Sequence, residues 1–175
     1  RNRYEAPSVL VLDYTVTQVF ENGSIIDLTH QIFRVQTEEA ADDVGQFALP
    51  PGGGHLLTLR TVKADGSILE PDDISQLSHI ELPNLQPGDY VEYEYYRYRS
   101  PAPGFPNGVL GDRFYFQSYE TPFDRSELTL IVPRSMTPTI EARGPAPEAE
   151  TTVTPTERVF HWIARQSEPV VQEPG

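Results

Sequence analysis

The sequence predicts an all-β domain, an antiparallel β-sandwich of two packed sheets with minimal helix. Three observations carry this. Apolar and polar residues alternate at period two along several segments, the spacing of strands half-buried on one face. Turn residues punctuate those segments, with 12 Gly and 17 Pro in 175 residues. A single short stretch, Thr37 to Asp43, has helix-forming character before the C-terminal region. Short strands with frequent turns are what sandwiches and barrels require.

Ser8 to Phe20 reads as the first strand, with Leu10, Leu12, Tyr14 and Val16 on one face and Asp13, Thr15 and Thr17 on the other. Glu21-Asn22-Gly23-Ser24 follows, and Asn-Gly suits the positive φ of a type I′ turn. Ile25 to Val35 is then the antiparallel return strand. Thr37 can cap a helix of one or two turns whose positive end suits Glu38 and Glu39. The run 50–54, Pro-Pro-Gly-Gly-Gly, is a loop. His55 to Lys63 is a strand, Ala64-Asp65-Gly66-Ser67 a second hairpin turn, and Ile68-Leu69 a short return ended by Pro71-Asp72-Asp73. Ile80 to Pro83 is a short strand and Gln86-Pro87-Gly88-Asp89 a tight turn.

Tyr90 to Arg99 is the clearest strand. Val91, Tyr93 and Tyr95 alternate with Glu92 and Glu94, and then Tyr96 and Tyr98 alternate with Arg97 and Arg99. This slip in phase indicates a β-bulge near Tyr95-Tyr96, or a strand passing from one sheet environment to another. Ser100 to Gly111 is a Pro/Gly loop of a length often tied to function. Arg113 to Tyr119 and Glu127 to Val132 read as strands, and Ser135 to Glu141 is a candidate for another. The Pro- and Glu-rich run 144–150 is an exposed excursion, after which Arg158 to Ile163 resumes as an apolar strand or a short helix. Residues 1–166 form a single accessory-sized domain, and 167–175 is a tail or linker. The start at Arg1 without a Met and the stop at Gly175 read as the ends of a piece of a longer chain.

Composition removes several function classes. With no Cys there is no thiol nucleophile, disulfide framework or zinc-thiolate site. The formal charge of −13 opposes nucleic acid and anionic membranes, both of which need Lys and Arg. No run of about 18 apolar residues is present, so no membrane insertion by this chain is expected.

Several segments resemble one bacterial family: Leu12-Asp13-Tyr14, Asn22-Gly23, His30 to Val35 (His-Gln-Ile-Phe-Arg-Val), Thr61 to Gly66 (Thr-Val-Lys-Ala-Asp-Gly), Leu82 to Tyr95, and the closing Glu168-Pro169 and Glu173-Pro174. The run from Leu82 to Tyr95 is the most specific. This is the domain of unknown function found N-terminal to bacterial transglutaminase-like domains. The resemblance implies an all-β accessory domain in a periplasmic or secreted protein, with papain-like Cys-His-Asp chemistry in the following domain. It implies no catalytic residue here.

The residues themselves offer little chemistry. There is no Gly-x-Ser-x-Gly elbow. His30 alternates with Leu28 and Ile32 and reads as a structural histidine, and no pair of His stands at metal-ligand spacing. No metal and no cofactor is therefore expected. Glu38-Glu39, Asp42-Asp43 and Asp72-Asp73 read as solvated loops, and Glu92 with Glu94 as a solvent face. Charge is uneven: residues 1–96 carry a net of −11, residues 97–134 a net of +1. That middle segment is also aromatic. Tyr96, Arg97, Tyr98, Arg99, Arg113, Tyr115 and Tyr119 form the candidate interaction surface, because Tyr and Arg anchor protein interfaces and aromatic faces stack on sugars. The bland reading is a sheet core with cross-strand Arg–Tyr pairs. The leading function is a non-catalytic module that packs against or orients the following domain. The alternative is a carbohydrate- or peptide-binding module using the same surface, and a hydrolase with two converging carboxylates comes third.

Overall fold

Alternation at period two becomes strand wherever a neighbour can complete the hydrogen-bond ladder. A computed structural model of the chain describes residues 3–48, 54–71, 79–101, 104 and 111–170. The expected loop at 50–54, the Asp72-Asp73 pair, most of the 100–111 loop and the end of the tail lie wholly or largely outside these residues, as does the His79 side chain.

Ten strands and one helix form in this order: β1 (Ser8–Val19), β2 (Ile25–Val35), α1 (Glu38–Val44), β3 (Gln46–Ala48), β4 (His55–Val62), β5 (Ile68–Leu69), β6 (His79–Glu81), β7 (Tyr90–Arg99), β8 (Phe123–Pro133), β9 (Glu150–Val153) and β10 (Glu157–Ser167). The fold is all-β with two sheets of unequal size. Eight strands make one wide sheet in the order β5-β4-β7-β2-β1-β8-β10-β9, and β3 pairs with β6 in a second. Neighbours run antiparallel with one departure from expectation: β1 and β8 are parallel. β7 and β8 therefore run in the same direction on either side of β2 and β1, and the chain between them crosses the sheet. Its Asp112 reaches Arg97 of β7 at 2.7 Å.

The two hairpins share one turn chemistry. Gly23 and Gly66 sit at φ 83° and 87°, while Asn22 and Asp65 keep negative φ. Each instead accepts from the Ser two residues on, Asn22 Oδ1 from Ser24 N at 2.9 Å and Asp65 Oδ1 from Ser67 N at 2.8 Å. Thus only the Gly is left-handed, as in a three-residue loop closed by a bulge, and the expected type I′ turn does not form. Thr37 caps α1, accepting from Ala40 N at 3.3 Å. Asp89, 2% exposed, ties the tight turn before β7 to the second hairpin: it accepts from Ala64 N at 3.0 Å and Gln86 N at 2.9 Å and pairs with Lys63. Burial raises the Asp89 carboxyl pKa, but these donors outweigh it and hold the group below its ordinary value.

Three other expectations change. The register of β7 with β2 is continuous from Tyr90 to Arg99, and the irregularity lies opposite, between Leu56 and Thr58 of β4. The phase of β7 shifts because its surroundings change, which was the second of the two readings. Arg113 to Tyr119 and Ser135 to Glu141 form no strand. The first belongs to the crossing connection, which has no ladder to join. β9 starts at Glu150, the last residue of the expected excursion, and pairs along β10 with all four of its residues exposed, a strand the sequence reading does not include.

Register divides the wide sheet into two faces. Leu59, Tyr93, Gln31, Asp13, Ser126 and Ala164 form one continuous row. On this face lie both hydrophobic clusters: Leu59 and Val91 with Phe47 of β3 and Ile80 of β6, and Val19, Ile25 and Val132 with Met136. The small sheet covers the first cluster. Between the clusters the covered face is polar. Thr15 meets Thr29 at 3.4 Å, Thr17 donates to Asp27 at 2.9 Å, and Gln31 Nε2 donates to Asp13 Oδ1 at 2.6 Å while its own Oε1 accepts from Tyr93. Burial pushes the Asp13 carboxyl up to about 6, against the opposing Gln31 donation.

Leu59→Ala should cost about 2–5 kcal/mol by urea unfolding, the range for a buried Leu truncation. Asp13 gives a pH signature. With its pKa raised in the fold, the native state holds more protons than the unfolded chain between about pH 4 and 6, so this group's contribution falls as pH rises through that window. Asp13→Asn should gain about 2 kcal/mol over wild type at pH 7 relative to pH 4. Equal differences at both pH values would refute a charged, buried Asp13.

Candidate functional site

The other face of the wide sheet is built from the alternate positions of the same strands. β1 contributes Leu12, Tyr14 and Val16, β2 Ile26, Leu28, His30 and Ile32, and β8 Glu127, Thr129 and Ile131. β10 adds Val159, His161 and Ile163, and β7 adds Glu92, Glu94, Tyr96 and Tyr98. Buried strand positions lie on the covered face, apart from Val9 beside the β1 bulge and Phe123 and Pro133 at the two ends of β8. The second face is half-buried at most, and neither hydrophobic cluster includes it. It is the open face.

The outcome for β1 is informative. The strand presents Asp13, Thr15 and Thr17 to the covered side and Leu12, Tyr14 and Val16 to the open side. Its more apolar side is therefore the one that neither hydrophobic cluster of the described residues includes. From β4 to β10 the six strands span about 24 Å at the usual inter-strand spacing, and six residues of strand add about 20 Å, so the open face measures on the order of 500 Å².

Two ion-paired groups flank its centre. On one side Glu92 accepts from Arg60 Nε at 2.6 Å and meets His30 Nε2 at 2.9 Å. On the other, Glu127 accepts from Arg125 Nε at 2.8 Å and meets His161 Nε2 at 2.7 Å. Tyr14 stands between them, register partner of both His30 and Glu127. Burial raises each Glu pKa, but the Arg and His partners prevail and hold both carboxyls below their usual value. Both carboxylates are engaged by a guanidinium and an imidazole, so they are poised as fixed charges rather than as proton donors. An apolar centre with a charged rim is the anatomy of a protein interface.

The seven residues singled out from sequence do not form one surface. Tyr96 and Tyr98 lie on the open face, Tyr96 stacked on His55 with ring centroids 4.8 Å apart and Tyr98 55% exposed. Arg97 and Arg99 point to the covered side. They hold Asp27, 6% exposed, at 3.2 Å and 2.9 Å. Burial lowers the Arg97 pKa, but its bonds to Asp27 and Asp112 raise it overall. Arg113, Tyr115 and Tyr119 are exposed on the irregular crossing connection. Glu92 is a bridge to His30 and Arg60, not a free solvent group. Among the described residues no three His, Cys, Asp or Glu side chains are placed to hold a metal ion.

Against this geometry stand the comparisons with known proteins. A family model described as a domain of unknown function with a solved structure, DUF3857, matches residues 75–171. No curated protein matches the chain. A solved structure from Parabacteroides distasonis, provisionally described as a protease, superposes with a TM-score of 0.73 at 16% identity, covering 95% of this chain and 37% of that one. An M1 zinc metallopeptidase variant from Deinococcus radiodurans with a bound Tyr-Ser-Ala substrate covers 93% of this chain and 40% of that one, at 12% identity and a TM-score of 0.49. This chain thus spans about two fifths of the length of these structures.

Asp27→Ala should destabilise the fold by about 1.5–3 kcal/mol, since it removes the buried carboxylate that accepts from Thr17, Arg97 and Arg99, while both arginines keep Asp112. Tyr98→Ala should change stability by less than about 0.5 kcal/mol, as an exposed site does. Comparable losses in the two variants, measured by urea unfolding, would contradict the assignment of opposite faces.

Proposed function

The chain belongs to the DUF3857 family, and on that premise we propose that it is a non-catalytic accessory domain whose open sheet face packs against, and orients, a following catalytic domain of the same polypeptide. The observation that carries this is the inverted strand β1, whose apolar positions face outward across an uncovered sheet. A sheet that encloses its polar ladder and exposes its aliphatic side is half of an interface. The charged groups around Glu92 and Glu127 fix the register of the partner more than they add affinity.

Two further observations support the reading. The same fold occurs within a polypeptide of which this chain matches 37%, so it is found beside other domains. That longer protein's provisional description as a protease fits an accessory role next to a hydrolytic domain. The run from Leu82 to Tyr95 and the other resembling segments point more narrowly to a transglutaminase-like neighbour in an extracytoplasmic bacterial protein. The glycan-platform alternative loses two of its three arginines, because Arg97 and Arg99 are committed to Asp27 on the other side.

The absence of Cys makes a direct test available. Thr129→Cys lies at the middle of the open face, and Ser135→Cys lies in an exposed segment outside it. In a longer polypeptide freed of its own cysteines, maleimide labelling of Cys at 129 should slow at least tenfold relative to this chain alone, while labelling at 135 stays unchanged. Equal rates at 129 in both contexts would overturn the docking face.

A further inference from the structure

A cleft of about 530 Å³ opens on the opposite, covered side, between the sheet and the α1–β3 segment. That volume lies in the range of small-ligand sites. Its floor is aromatic. Phe33 and Tyr93 stack at 6.1 Å, Tyr93 and Tyr95 at 6.4 Å, and Phe47 tilts over Tyr93 at 4.7 Å. Three carboxylates stand at its mouth: Glu39 and Asp43, one helical turn apart on α1, and Glu120 at the end of the crossing connection. No Lys, Arg or His is among the described residues that line it.

Each part of this arrangement favours the same guest. The faces of aromatic rings carry negative quadrupole and attract cations, most strongly when the cation is an organic ammonium that sheds water cheaply. Exposed carboxylates around the rim add a field that concentrates cations and repels anions. An apolar floor also accepts a methylene stem. The geometry points to a binding site for an alkylammonium group carried on an aliphatic stem, of which the lysine side chain of a peptide is one source and a free alkylamine another. The site is independent of the docking face and goes beyond the accessory role, for it lies on the other side of the sheet.

The test titrates the whole chain with three probes: Nα-acetyl-lysine N-methylamide, its neutral counterpart Nα-acetyl-norleucine N-methylamide, and pentylamine. Amide shifts of Ala40, Phe47 and Tyr95 report the cleft. The lysine compound should bind saturably and at least tenfold more tightly than the norleucine compound, and added salt should weaken it. The double variant Glu39→Gln, Asp43→Asn changes two exposed side chains and should fold normally, yet weaken the lysine compound at least fivefold. Pentylamine binding as well as the lysine compound identifies a site that reads only ammonium and stem, and weaker pentylamine binding identifies a peptide site. Norleucine binding equal to lysine, an unchanged double variant, or no shift with any probe would each overturn the proposal, and none of these results bears on labelling at position 129.

Discussion

A parallel strand pair cannot be closed by a tight turn. Because β1 pairs with β8 in parallel, the chain leaving β7 must travel over β2 and β1 before it can enter β8. That single requirement distributes everything else. The described end of this connection, from residue 111 on, lies over one side of the sheet, where Asp112 meets Arg97 and where Glu120 and Thr121 border the cleft. The small sheet and α1 cap the same side. Among the described residues, both hydrophobic clusters, the small sheet and α1 therefore share one face of the wide sheet.

The covered face explains why the central strands are so polar inside. A Thr, Asp and Gln ladder is tolerable there because each group finds a partner across the strands, and a satisfied hydrogen bond to a charged group is worth roughly 1.5–3 kcal/mol net. Asp27 with two arginines is the strongest instance. Such a ladder also fixes register, since a slip by one residue would carry Asp13, Asp27 and Gln31 to the apolar side. Specificity of pairing comes from polar groups in the middle of the sheet, and burial comes from the aliphatic clusters toward its ends.

Much of the fold was legible in the sequence and much of the site was not, for identifiable reasons. The hairpins could be read because Asn22-Gly23-Ser24 and Asp65-Gly66-Ser67 act through local hydrogen bonds. The strand β7 could be read because its alternation is strong. Period two also separates Tyr96 and Tyr98 from Arg97 and Arg99, but only the register with β2 shows Asp27 waiting opposite the arginines, seventy residues away. Alternation alone does not say which face is inside, so it puts Leu12, Tyr14 and Val16 on one side without showing that the clusters form on the other. The pairs His30–Glu92 and His161–Glu127 join different strands and leave no local trace. Phe114 and Phe116 imitate a strand by spacing, yet they meet each other edge to face at 4.8 Å in a segment with no ladder.

The ends of the wide sheet carry a last consequence. β5 has two residues and β9 four, whereas the strands between them run from eight to twelve. Yet β5 pairs only with Thr61 and Val62 of β4, and β9 only with Arg158 to His161 of β10, so among the described residues the rest of β4 and of β10 has no strand beside it on that margin. Those stretches of β4 and β10 are where a strand from another molecule would find backbone to pair with, and the brevity of β5 and β9 sets how much of each margin the chain covers for itself.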